Sequence, residues 1–151
     1  VNAAYAHLVL NHFPILGTLF GLILLAAALI RKSDELTRAA LVTFIVVGAI
    51  SLPAYFSGEG AEEVLEGYPG VSAEALEVIE GHEEAAVWAM VLIEIVAVLA
   101  IFGLVGARKS GAVSRKVAMA CLVLSILSMA AVTRTAQSGR DIRHPEAGAT
   151  P

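Results

Sequence analysis

Two histidines five residues apart, His7 and His12, stand at the head of an apolar run in the stretch HLVLNHFPILG, and His82 and His144 complete the set of four in the chain. Imidazole ligates metal ions and haem iron, so four of them at the margins of apolar segments point to a bound metal or haem. On an ideal helix, residues five apart are separated by roughly 140° and about 7.5 Å along the axis. One ion gripped by a single helix needs an i, i+3 or i, i+4 pair instead. The spacing therefore suits two stacked sites, each using one of the two histidines, with Pro14 able to rotate one relative to the other. Neutral imidazoles from opposite helices of a membrane bundle are a usual way to hold a b-type haem, whose flat apolar ring needs an apolar slot. One or two haems b per chain is the cofactor expectation, with His12 opposite His82 at the deeper level and His7 opposite His144 nearer the surface. Swapped pairs stay open.

A haem brings two propionates that need cationic or hydrogen-bonding partners. Arg134, Arg140 and Arg143 flank His144 in RTAQSGRDIRHPE and can meet them, or can pair with nearby carboxylates. Gly17, Gly21, Gly48 and the alanines after His82 offer room for a ring, and serve equally for close helix contact. The competing chemistry is a non-haem Fe, Cu, Mn or Zn ion held by the same histidines together with Glu59, Glu63 and Glu83. A ferritin-like site is not the pattern, because such sites repeat Glu-x-x-His and the residue three before His82 is Ile79. Glu94, inside an apolar block, is a functional hypothesis by default: proton movement, quinol oxidation, or a structural hydrogen bond to Ser125 or Ser128.

The elements that must position these residues follow from the distribution of charge. Of the 151 residues, 58% are hydrophobic and 16% charged, far from the balance of a soluble domain. Phe13 to Ile30, Ala39 to Ser57 and Val117 to Thr133 carry no charge, and Ala85 to Ala107 carries only Glu94. Each block is near the ~20 residues a helix needs to cross a bilayer. The first is expected to stay as a membrane helix rather than act as a signal peptide, since no basic stretch precedes it and RKSDELTR follows it. Cys121, the single cysteine, lies within the fourth block, which excludes a disulfide or thiolate cluster within one chain.

Seven of the ten Lys and Arg residues fall in two short connections: Arg31, Lys32 and Arg38, then Arg108, Lys109, Arg115 and Lys116. Basic short loops face the cytoplasm. The connection between the second and third helices has nine glutamates from Ser57 to Glu84 and no basic residue, and belongs outside. Within it Gly58 and Gly60 favour a break, AEEVLE a short helical turn, GYPG a turn, and Ser72 an N-cap for a helical piece leading into the third helix. On that piece Leu76, Ile79 and His82 share a face while Glu77, Glu80 and Glu84 lie elsewhere, so His82 is expected to face the bundle. Tyr5, Phe13, Tyr55, Phe56, Tyr68 and Trp88 gather at the same boundary as an interfacial belt or as packing around a bound ring.

The chain thus reads as an all-α, integral membrane four-helix bundle, a single domain 1–151 with helices near 4–30, 38–57, 82–107 and 114–136. It has an acidic outer loop 58–81 and an outer tail 137–151. N- and C-termini lie on the outer, periplasmic side of a bacterial inner membrane, together with all four histidines.

HLVLNHFPI, with its His-x4-His-Phe-Pro spacing, resembles the first-helix signature of a widespread bacterial family of four-helix membrane proteins of unknown function. SGRDIRHPEAG is similar to that family's ending, with Ser138 where a first glycine is more usual. Some members are fused to Rieske or c-type cytochrome domains, so the resemblance implies electron transfer and favours haem over a storage metal. The expected function is a membrane b-type cytochrome passing electrons between a periplasmic carrier and quinone or a membrane complex, a carrier more than an enzyme. The alternatives are a periplasm-facing metal-binding protein and a structural subunit without cofactor. The lipid bilayer is the expected partner, with a respiratory complex or a homo-oligomer compatible. No nucleic acid is expected, because topology explains the basic clusters, and no phosphate loop or serine nucleophile motif occurs.

Overall fold

A computed structural model describes residues 3–66 and 73–143. It is all-α: α1 (Ala3–Leu10), α2 (His12–Arg31), α3 (Asp34–Glu66), α4 (Ala73–Ser110) and α5 (Arg115–Arg143). The first two form one span interrupted at Asn11. Pro14 is the cause, since it supplies no N–H to the carbonyl of Leu10 and its ring presses on that carbonyl. Four spans result, Ala3–Arg31, Asp34–Ala61, Leu76–Ser110 and Arg115–Gly139, with mean hydropathies of 2.5, 2.1, 2.6 and 2.0 over an apolar 18-residue stretch of each. By length and hydropathy this is a multi-pass membrane protein. Its outward side chains agree: Leu16, Phe20, Ile23, Ile30, Phe102 and Val123 are each at least half exposed, as suits a hydrocarbon solvent.

α2 packs on α3 and α5, and α4 packs on the same two, so the first and third spans face each other across the bundle. α1 lies against the far part of α3. The two ends of the described chain lie at one end of the bundle, here called the histidine end; the basic connections lie at the other.

The basic end is tied by polar contacts. Lys32 adopts a left-handed conformation (φ 53°) and its N–H bonds the Ala28 carbonyl, ending α2. Ser33 then caps α3, its Oγ accepting the Leu36 N–H at 3.2 Å. Asp34 reaches to the other connection, accepting the Val113 N–H at 2.7 Å and Arg38 Nε at 2.6 Å, while Arg38 Nη2 donates to the Gly111 carbonyl at 2.8 Å. Above this lies a close-packed layer of Leu25, Leu41, Phe44, Val96, Ala100 and Cys121. Gly17, Gly21 and Gly48 belong to this packing. A Cβ on them would lie 2.5 Å from Val47, 2.6 Å from Phe44 and 2.7 Å from Ala97, so their role is close helix approach.

The acidic connection differs from the expected loop at 58–81. α3 runs through Pro53, Gly58 and Gly60 to Glu66, and α4 begins at Ala73. Glutamate and alanine are good helix formers. Gly58 and Gly60 continue the helix because close contacts with α1, to His7 and Ala3, use their missing side chains. At about 1.5 Å per residue, α4 is ~57 Å long against a hydrocarbon core of ~30 Å, so its first turns stand beyond the bilayer. Glu77, Glu80 and Glu84 are accordingly exposed, while Ile79 is buried and His82 half-buried on the inward face, as the periodicity predicts. The expected turn GYPG and cap Ser72 lie outside the described residues, as do Tyr68 and His144.

Candidate functional site

The histidine end is hollow. A cavity of about 670 Å³ opens among α1, α2, α3, α4 and α5, with His7, His12 and His82 in its wall. Small or apolar side chains supply most of the rest, among them Ile15, Ala54, Ala86, Ala89, Met90 and Val132. Ser51 and Ile93 form the floor, where Ile93 also borders the tight layer below. His12 and Glu59, both exposed, mark the mouth. Such a volume matches pockets for organic molecules and far exceeds what a single ion fills.

His7 and His82 are built into this wall in the same way from opposite sides. His7, on α1, leans on α3: its Nδ1 lies 3.1 Å from the Ala54 carbonyl. A carbonyl only accepts, so Nδ1 carries the hydrogen and Nε2 keeps its lone pair. His82, on α4, leans on α5, with Nδ1 3.0 Å from Ser138 Oγ. The Ser138 hydroxyl has one hydrogen and lies 2.9 Å from the Thr135 carbonyl and 3.3 Å from that of Arg134. His82 also hydrogen-bonds the Thr135 carbonyl, to which the ring can only donate, so one of its N–H groups is held by α5. A histidine that ligates through one nitrogen commonly donates the other N–H to a carbonyl or similar acceptor, which fixes tautomer and ring angle.

Each ring is also met by a glycine of the helix it leans on. A Cβ on Gly58 would lie 3.1 Å from Cε1 and Nδ1 of His7, and one on Gly139 would lie 3.0 Å from Cε1 of His82. Any other residue would displace the imidazole. Sequence reasoning missed both glycines: Gly58 looked like a helix breaker, and Gly139 was placed in the outer tail 137–151, whereas α5 continues to Arg143. Ser138, a departure from the ending that SGRDIRHPEAG resembles, holds His82 in place.

The remaining candidates divide clearly. Glu59 and Glu83 line the cavity, whereas Arg134 is exposed on α5. The side chains of Glu63, Arg140 and Arg143 lie outside the described part, as does the whole of His144. Among the described residues, no three His, Cys, Asp or Glu side chains gather closely enough to hold a metal ion. Of the aromatic set, Tyr5, Phe13, Phe56 and Trp88 are half exposed or more, as a lipid-facing belt requires. Tyr55 differs: it lines the cavity and stacks edge-on against Phe56 with centroids 5.6 Å apart.

Glu94 does not reach Ser125 or Ser128, which bond the carbonyls of Leu122 and Leu124 on their own helix. Its Oε1 lies 2.7 Å from Ser51 Oγ on α3, and Gly48 leaves space for its Oε2. The correction is one of helix rotation: α4 turns Glu94 toward α3 rather than α5.

Compared with known proteins, the chain matches no family model, no curated protein and no solved structure, so its reading rests on this four-helix geometry.

Proposed function

We propose that the protein is a membrane b-type cytochrome that holds haem between His7 and His82 in the cavity at the histidine end and carries electrons. The observation that carries this reading is the matched pair of imidazoles. Both belong to diagonally opposed spans, both have Nδ1 in a hydrogen bond to the helix they lean on, and both are backed by a glycine. An apolar cavity of about 670 Å³ suits a flat organic cofactor, and the described carboxylates and imidazoles do not converge as an ion site requires. Haem bound there would supply a one-electron couple. The chain's own residues fix the ring planes and surround the site with apolar side chains. His12 at the mouth, with His144, is left for a second haem, and Arg134, Arg140 and Arg143 for propionates.

The charge pattern supports placing the histidine end outside the cytoplasmic membrane of a bacterium, since the basic short connections lie at the other end. From there a periplasmic carrier could reach the mouth, with quinone or a membrane complex as the other partner. If His7 and His82 both held the iron, no coordination site would be left for a substrate, which favours a carrier over an enzyme.

The test is an oxidised and reduced absorption spectrum of the purified protein with haem-to-protein stoichiometry. One low-spin b-type haem per chain, lost in both His7→Ala and His82→Ala and retained in His12→Ala, is the expected result. Protein from haem-sufficient cells that contains no haem overturns the reading. Loss in His12→Ala but not in His7→Ala transfers the ligand role from His7 to His12.

A further inference from the structure

Below the cavity, one polar contact crosses an otherwise apolar layer. Ser51, 4% exposed, lies on α3 with its Oγ 2.9 Å from the Gly48 carbonyl and 2.7 Å from Oε1 of Glu94. Both distances are those of good hydrogen bonds. A serine hydroxyl has one hydrogen, and a carbonyl has none to give. The two bonds can coexist only when the second hydrogen comes from the carboxyl, as Glu94 O–H to Ser51 Oγ, with Ser51 O–H to Gly48. When Glu94 is ionised, Ser51 must turn its hydrogen to the carboxylate and release the Gly48 carbonyl. The hydroxyl thus has two orientations, selected by one proton on Glu94. Gly48 makes this geometry available, because a Cβ there would sit 3.3 Å from Oε2 and 2.7 Å from the Ala97 methyl.

Ser51 also forms part of the cavity floor, so its hydroxyl stands between the carboxyl and the cavity. The layer beneath offers no comparable continuation: the polar groups at its central gap are the hydroxyls of Thr18, Ser125 and Ser128. The ionisable groups that the packed elements turn to the cavity above are His7 of α1, His12 of α2, Tyr55 and Glu59 of α3, and His82 and Glu83 of α4. α5 adds there only the hydroxyl of Thr135.

We propose that Glu94 and Ser51 form a proton-exchange pair serving the cavity. In uptake, a hydronium ion reaching the cavity from solvent gives a proton to Ser51 Oγ as the Ser51 hydrogen passes to the Glu94 carboxylate, leaving a neutral carboxyl, the Ser51 hydroxyl and water. Release is the reverse. A charge introduced into the cavity is then answered by proton movement at its floor, since charges a few ångströms apart in a weakly polar medium titrate together. The pairing rests on the contacts of this chain and holds whatever occupies the cavity.

Infrared spectroscopy of the full chain in lipid nanodiscs, without added haem, tests it. The expected spectrum contains a protonated-carboxyl band that is absent in Glu94→Gln, moves to higher frequency in Ser51→Ala and returns toward its original position in Ser51→Thr. Transfer into heavy water should shift the wild-type band quickly, and about a hundredfold more slowly in Ser51→Ala, the low end for a positioned proton-transfer group. Should Ser51→Ala not fold, Ser51→Cys keeps the volume with a weaker donor and is expected to slow exchange in the same direction. A wild-type protein with no such band at any pH where it stays folded overturns the proposal, as does exchange in the Ser51 variants at the wild-type rate. Because no haem enters the measurement, a failure here is separate from a failure of the cytochrome reading.

Discussion

Gly58→Ala separates a ligand-positioning role from a structural one. The new methyl would lie 3.1 Å from both Cε1 and Nδ1 of His7, where ordinary contact begins at 3.4 Å, so the ring must retreat by a few tenths of an ångström. Its Nδ1 bond to the Ala54 carbonyl is already 3.1 Å long, near the upper end of the usual range, and retreat weakens it. Losing a neutral hydrogen bond costs about 1 kcal/mol, or roughly fivefold in affinity. Loss of the orienting partner of a ligating histidine typically costs about 10- to 100-fold. We expect haem affinity, titrated by absorbance into apoprotein, to fall about tenfold, within that range. The control is Gly81→Ala, beside His82 on α4, where an added Cβ meets nothing within 4 Å. Replacing glycine inside a helix by alanine favours the helix by roughly 0.5–1 kcal/mol, so Gly81→Ala should raise the thermal midpoint and leave haem affinity unchanged. Equal haem affinity in the two variants would refute the reasoning, because the His7 ring would then not depend on the glycine behind it.

Other expectations concern the framework. Gly21→Ala puts a methyl 2.6 Å from the Phe44 ring, which is 3% exposed and cannot withdraw, and should destabilise the bundle by about 1–3 kcal/mol in reversible unfolding in mixed micelles. Thr18 is 2% exposed and its Oγ1 has no hydrogen-bond partner among the described residues; Thr18→Val should be neutral or stabilising by up to ~1 kcal/mol in the same assay. Asp34→Ala removes one of the two links to the other basic connection, leaving that of Arg38 to the Gly111 carbonyl, and should lower the thermal midpoint, with part of the difference disappearing at high salt because Arg38 is its ionic partner.

The four spans were legible because charge is absent from them for about 20 residues at a time, and no local detail alters that requirement. His82 facing inward was legible for a similar reason: its neighbours Ile79 and Glu80 commit the helix face. The helical extension of α3 was not, because Gly58 and Gly60 carry the same signal whether they end a helix or admit another one. Glu94 shows a second limit. Its depth followed from the sequence, but choosing between Ser51 and Ser125 needs the rotation of α4 about its axis, which packing of all four spans determines. The histidine pairing is a third case. Depth alone suggested His12 with His82 and left swapped pairs open; His7, His12 and His82 all line one cavity, so depth does not choose among them.

Pro14 lines the cavity and Pro53 lies on the neighbouring span between the cavity-lining Ser51 and Ala54, and neither proline can donate to the turn before it. Each span therefore lacks one rung of its backbone ladder where the hollow half meets the solid half. At those two levels the spans have one backbone bond fewer to hold them straight, so the hollow half of the bundle has less intrinsic stiffness than the glycine-packed layer below it.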